Sequence, residues 1–231
     1  VTTYEEADIS GYGGYQWMNL NFDKYWAVVV NPTASTPILQ SFASSVPSLA
    51  GIEKLIDTSW YDEKKTEYVL HDKADLNGLA YLSNSINFEG KTIKLGADIV
   101  VNTDMKNPTY KWDPIGNKDK AFAGTFDGCM HTISGLYVNT DVESAGLFAR
   151  TDKKATVKNL ILKDSYFEST AMNLGSNAGI GHGTFDTIKS EATVVGHNAR
   201  VGGLIGINSA KGTSLTNCWF AGTVTNKGNG N

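Results

Sequence analysis

Apolar side chains between residues 66 and 84 recur at helical spacing, with Leu76, Leu79, Ala80 and Leu82 mostly on one face. Asp72 stands just ahead of them and can accept hydrogen bonds from the free N–H groups of a first turn. The pattern predicts a helix over about 73–84. From Gly90 onward the pattern shortens into strands of four to six residues, such as Thr92-Ile93-Lys94-Leu95 and Thr132-Ile133-Ser134-Gly135-Leu136-Tyr137-Val138. Upstream, residues 1–43 are rich in aromatics, and the run Ala27-Val28-Val29-Val30 before Asn31-Pro32 predicts a short strand and a turn. Residues 44–65 carry Ser44-Ser45-Val46-Pro47-Ser48 and Asp62-Glu63-Lys64-Lys65 and read as a linker.

The short strands repeat. Aligning Ile133, Val157, Phe185 and Leu215 gives one apolar column, and three residues later Leu136, Leu160, Ile188 and Cys218 give another, at offsets of 24, 28 and 30 residues. In a straight strand, positions three apart point to opposite faces, so two apolar columns at that spacing require a bend between them. Gly135, Asn159, Thr187 and Asn217 fall at the bend, and Gly and Asn tolerate the left-handed conformation a corner can require. Farther on, Glu191-Ala192-Thr193-Val194 lies over Ala221-Gly222-Thr223-Val224. Strands and corners at this period make a β-solenoid, in which each coil hydrogen-bonds to its neighbours and like residues stack on like. A leucine-rich repeat is the competing period, but its Leu-x-x-Leu-x-Leu frame recurs nowhere at constant spacing.

Composition narrows the function classes. A chain of 231 residues with 41% hydrophobic and 19% charged residues can bury a core without staples. No apolar run approaches the roughly 18 residues of a membrane-spanning helix. The net charge is -4, and Arg150 and Arg200 are the only arginines, so there is little material for a phosphate-binding patch and nucleic acid is not an expected partner. Cys129 and Cys218 could form one bridge or remain two thiols; Cys218 sits in an apolar column and Cys129 outside it, which favours thiols. The start at Val1 and the close Asn226-Lys227-Gly228-Asn229-Gly230-Asn231 read as a cut through a longer protein.

Several segments together resemble a known family. They are Trp112-Asp113-Pro114-Ile115-Gly116-Asn117, Phe122-Ala123-Gly124-Thr125-Phe126-Asp127-Gly128, His131-Thr132-Ile133-Ser134-Gly135-Leu136-Tyr137-Val138 and Ala155-Thr156-Val157-Lys158-Asn159-Leu160. With Gly203-Leu204-Ile205-Gly206 and the degraded Gly146-Leu147-Phe148-Ala149, they are similar to the GLUG-motif repeats of bacterial surface proteins. The resemblance covers about residues 66–225. It departs at Cys129-Met130, where the family commonly has Asn-Gly, and across 166–184, which match no coil and predict an irregular or bulging turn. Residues 1–43 resemble the closing portion of such a unit and are expected to pack on the solenoid, or on a neighbouring copy, as a cover for its open end.

The fold expected is all-β: a right-handed parallel β-helix over 66–231 with one capping α-helix, preceded by an aromatic-rich N-terminal segment of short strands. The function the resemblance implies is a non-catalytic extracellular repeat module of a bacterial cell-surface protein, acting as spacer, adhesin or glycan- or protein-binding surface. Its partners would be glycans, surface proteins and neighbouring repeat units, with no cofactor and no membrane insertion.

The competing reading is a pectinase-type enzyme, because Asn139-Thr140-Asp141, Asp164 and Gly181-His182-Gly183 resemble the acidic and histidine motifs of polygalacturonases. Glycoside hydrolysis needs two carboxylates about 5–10 Å apart. Here the middle motif has Asp164 alone, and the later Arg-x-Lys motif is missing. Along the coils His182 precedes the first apolar column while Asp141 and Asp164 follow the corner, which predicts separations well over ~10 Å. His71, His131, His182 and His197 have no metal-ligand spacing, and His131 is expected to pack within its coil. Asp127, Asp141 and Asp186 lack the Gly-Gly-x-Gly-x-Asp frame of calcium-binding β-rolls, and Val201-Gly202-Gly203-Leu204-Ile205-Gly206 lacks the Lys of a phosphate loop. The candidate binding residues are outward aromatics: Tyr137 and Trp219 are expected in one outward column with Ile161 and Lys189, either free to bind or covered by residues 1–43.

Overall fold

The structure, a computed structural model, describes residues 26–30, 35–39, 52–53, 56–170, 172–197, 200–208 and 213–228. Strands β1 (Trp26–Val30), β2 (Ser35–Leu39) and β3 (Ile52–Glu53) form an antiparallel sheet in the order β2-β1-β3, so the Ala27–Val30 run is a strand as expected. Most of residues 1–43, and with them the expected cover, lie outside the described residues. Within the stretch read as a linker, β3 pairs with β1, and Ile56 is fully buried with Trp60 and Tyr61 packed against the main core.

The solenoid opens with β4 (Glu67–Leu70) and helix α1 (Lys73–Leu82). Asp72 caps the helix as its sequence position predicts, accepting from the N–H groups of Ala74 and Asp75 at 2.8 and 3.0 Å. Gly78 breaks the helix-forming pattern for a steric reason: a Cβ there would lie 1.9 Å from the carbonyl oxygen of Asp57, on the segment packed across the helix.

The first coil carries β5 (Thr92–Leu95) and β6 (Ile99–Val100). The second carries β7 (Thr125–Asp127), β8 (Thr132–Ser134), β9 (Tyr137–Thr140), β10 (Ser144–Ala145) and β11 (Phe148–Arg150). In the third are β12 (Thr156–Lys163), β13 (Tyr166–Ser169), β14 (Asn173–Gly175) and β15 (Ala178–Ile180). The fourth repeats this with β16 (Thr184–Ser190), β17 (Thr193–Gly196), β18 (Arg200–Gly202) and β19 (Ile205–Ile207), and the last has β20 (Ser214–Thr216), β21 (Trp219–Phe220) and β22 (Thr223–Asn226). Each strand pairs in parallel with its counterpart one coil away, giving faces ordered β4-β5-β7-β12-β16-β20, β9-β13-β17-β22, β10-β14-β18 and β11-β15-β19. From β4 onward the described residues form a parallel β-solenoid with one short helix.

The stacking explains the pattern. Along the first face Ile93, Phe126, Val157, Phe185 and Leu215 are in register, and Val138, Phe167, Val194 and Val224 follow on the next. Within the stack these side chains are almost wholly buried, each Phe contributing about 1.5–3 kcal/mol by leaving water. A file of aromatic rings runs through the interior, with Phe88, Phe122, Phe148 and Phe126 at centroid separations of 5.1–6.0 Å. On the last coil Leu215 and Val224 continue the inward columns yet are 47% and 43% exposed.

The register corrects the sequence alignment at one coil. Phe126, not Ile133, pairs with Val157, whereas Ile133 pairs with Leu162. The alignment slips by one corner, because Ile133 and Leu136 are an apolar pair three apart like Val157 and Leu160; the true corner is also two residues longer, Gly128-Cys129-Met130-His131 standing where Asn159-Leu160 stand one coil later. Cys129 and Met130 both take positive φ there. Asn159, Thr187 and Asn217 do form one left-handed corner column, with φ of 53°, 55° and 54°. Gly135 is left-handed too, but it stacks at the following corner, where its N–H meets the carbonyl of Asp164. Among the described residues of 166–184, β13, β14 and β15 lie in register where the sequence pattern predicts an irregular turn. Most of the buried positions there are small or polar, among them Ser169, Asn173, Ser176, Asn177 and Ala178, and only Phe167, Leu174 and Ile180 are large and apolar, so the apolar period is weak there.

Candidate functional site

On the face β9-β13-β17-β22, alternation turns Phe167 and Ser169 inward and leaves Tyr166 and Glu168 outward. Tyr137 pairs with Tyr166 one coil below, so their rings stack at 6.0 Å and 17°. Asn139 and Val195 flank Glu168 in the next outward column. The Tyr166 hydroxyl donates to Glu168 Oε2 at 2.8 Å. His197 Nε2 lies 2.8 Å from Glu168 Oε1, and Lys227 Nζ lies 3.7 Å from the same oxygen.

These contacts set the charges. Partial burial works to raise the Glu168 pKa, but the hydrogen bonds from His197 and Tyr166 and the Lys227 charge outweigh it and hold the carboxyl below its usual range. Burial, then the bond to Glu168, pushes the Tyr166 phenol up to about 12. At neutral pH the face therefore carries a fixed carboxylate, a neutral phenol and two stacked rings with polar rims, which suits a ligand with both apolar faces and hydroxyls.

Trp219 stands elsewhere. Its column reads Thr132, Ile161, Lys189, Trp219, and Tyr137 belongs to the face around the next corner, which corrects the single outward column expected for the pair. The shift has the same origin as the register error, the alignment of Ile133 with Val157 one corner out of place. Trp219 is 61% exposed, with Lys189 Nζ 5.0 Å from its ring centroid and held in turn by Glu191.

The residues of the enzyme reading fall at three different corners of the coil. Asp141 follows β9, Asp164 lies between β12 and β13, and His182 lies between β15 and β16. Burial and the nearby Arg150 hold the His182 imidazole below its usual pKa. Among the described residues no three of His, Cys, Asp and Glu converge as a metal site. Asp127 and Asp186 instead accept from the amides of Asn159 and Asn217 at 3.0 and 3.1 Å, forming rungs beside the left-handed corners. His131 reaches back one coil to Asp98, 3.1 Å from its Nδ1. Both cysteines are free thiols, Cys129 exposed and Cys218 packed at the core's edge, and burial raises the pKa of each.

Sequence reasoning named Tyr137 but missed Tyr166, Glu168 and His197. A signal was present, since Tyr137-Val138-Asn139-Thr140 and Tyr166-Phe167-Glu168-Ser169 share the alternation aromatic, apolar, polar, polar.

Two curated proteins are similar to the chain. It is 32% identical over 149 residues to Halomucin of Haloquadratum walsbyi, a match covering 62% of this chain and 2% of that protein. It is 31% identical over 117 residues to a protein of Evansella cellulosilytica named "Putative Gly-rich membrane protein", covering 48% of this chain and 14% of that one. The chain thus spans a small fraction of either relative. No family model and no solved structure matches it. Among the described residues no helix is long and apolar enough to cross a membrane.

Proposed function

We propose that this chain is a non-catalytic extracellular repeat module, with coils of the GLUG type, in a larger microbial cell-surface protein, and that it binds surface glycans through its outward aromatic faces. The observation that carries the reading is the Tyr137–Tyr166 stack beside the anchored Glu168: an ordered aromatic and hydrogen-bonding surface on a rigid sheet. Rigid placement limits the ordering cost of binding. The similarity to short stretches of two much longer proteins, one named Halomucin and the other a membrane protein, supports a module of a large surface protein. The enzyme alternative is tested by incubation with polygalacturonate and related glycans and assay of new reducing ends. The proposal expects none; reducing ends that disappear in Asp164→Asn or His182→Ala would overturn it.

A further inference from the structure

A recess lies at the turn that follows β9. A cleft of about 350 Å³ opens between the Asp113–Asp119 loop, the turn Val142-Glu143-Ser144 and the end of β11. Its walls are rigid. Ile115 N donates to Leu147 O and Ala149 N to Ile115 O, both at 2.9 Å, so the loop is stitched to the coil that carries Arg150. At Gly116, φ is +74° and a Cβ would come within 2.7 Å of the Arg150 carbonyl, so only glycine allows this approach. On the facing side, the Asn173 amide donates to the carbonyl of Glu143 at 3.1 Å and to the hydroxyl of the buried Ser144 at 3.3 Å.

The lining is of two kinds. Pro114, Val142 and Ala149 give an apolar wall, and Val142 is half exposed. Asp119, Glu143 and Arg150 also line the cleft, and among the described residues no ion pair joins these three. Polar and charged residues around an apolar patch match a pyranose, whose hydroxyls each donate and accept while its C–H face is apolar. The cleft also holds Asp113 and Lys118, so carboxylates outnumber cations by three to two, which disfavours an anionic sugar.

We infer that this cleft is a binding site for one neutral hexopyranose residue. The inference deepens the glycan-binding reading above and rests on it: the cleft would hold a single sugar unit while the aromatic faces contact the rest of the glycan.

The test is an amide-resonance titration of the whole chain with methyl glucoside, methyl galactoside and methyl mannoside, with methyl glucuronide as the charged comparison. At least one neutral glycoside should shift the amides of Gly116–Asp119 and Val142–Arg150 and bind at least fivefold more tightly than the glucuronide. Asp119→Asn and Glu143→Gln, both at exposed positions, should weaken that binding at least fivefold, and Val142→Trp should block it. Shifts confined to Tyr137, Tyr166 and their neighbours would overturn the cleft and leave the aromatic reading standing. Shifts at neither place would overturn the cleft, while polysaccharide retention decides the surface reading separately. Tighter binding of the glucuronide would overturn the assignment to a neutral sugar.

Discussion

Thr187 is the weak member of the left-handed corner column, and Thr187→Asn is expected to stabilise the protein. Left-handed φ costs an L-residue about 1–2 kcal/mol, most for a β-branched side chain and least for Asn. Thr187 holds φ at 55°. Its hydroxyl returns one bond, to Asp186 Oδ1 at 3.2 Å, and Asp186 keeps the Asn217 amide at 3.1 Å if that bond is lost. The net gain is about 0.5–1 kcal/mol, or roughly 1–4 °C in a chain of this size. The reverse exchange, Asn159→Thr, acquires the strain and also deletes the 3.0 Å bond to the Asp127 carboxylate. A bond to a charged group contributes about 1.5–3 kcal/mol, so with the strain this variant should melt roughly 4–16 °C lower. Calorimetry at neutral pH reads both. Thr187→Asn melting at or below the parent, or Asn159→Thr melting with it, would refute corner strain as the reason for this column.

Other consequences are as direct. Asp72→Ala removes the helix cap and should cost about 1 kcal/mol, seen as a lower midpoint in urea with an unchanged slope. Phe167→Ala opens a cavity in a fully buried column and should cost about 3–5 kcal/mol by the same assay. The Glu168 pKa is lower folded than unfolded, so its contribution is present above the ordinary glutamate pKa and is lost as pH falls through the folded value. Glu168→Gln should accordingly flatten the acid side of the melting profile. For Tyr166 the sign reverses, because its pKa is raised: its stabilisation holds below about pH 10 and is lost as pH climbs towards about 12. Ultraviolet titration should show a phenol ionising towards about pH 12 that is lost in Tyr166→Phe.

Much of the fold was legible because burial imposes a period. The columns from Val157 to Phe185 to Leu215 and from Leu160 to Ile188 are apolar in every coil, and the structure stacks them in that register. Asp72 marked the helix start through a local interaction that needs no tertiary context. What failed was the one coil where an apolar pair three apart, Ile133 and Leu136, imitated the pair Val157 and Leu160. The extra residues Cys129 and Met130 face out, with Met130 57% exposed, so hydrophobicity carries no sign of the insertion. The coil over 166–184 was hidden for the opposite reason, since Asn173, Ser176 and Asn177 are buried without being apolar. The Tyr137–Tyr166 contact follows from register, so an alignment wrong by one corner could not place it.

The central claim, an aromatic solenoid face that holds glycans without cleaving them, is tested most directly by retention on immobilised polysaccharides. The parent chain and a Tyr137→Ala, Tyr166→Ala double variant would be compared, with matched far-ultraviolet circular dichroism as the folding control. At least one polysaccharide should retain the parent, and the double variant should elute at least fivefold earlier. Equal retention of the two folded proteins, or no retention of the parent on any polysaccharide, would contradict that claim.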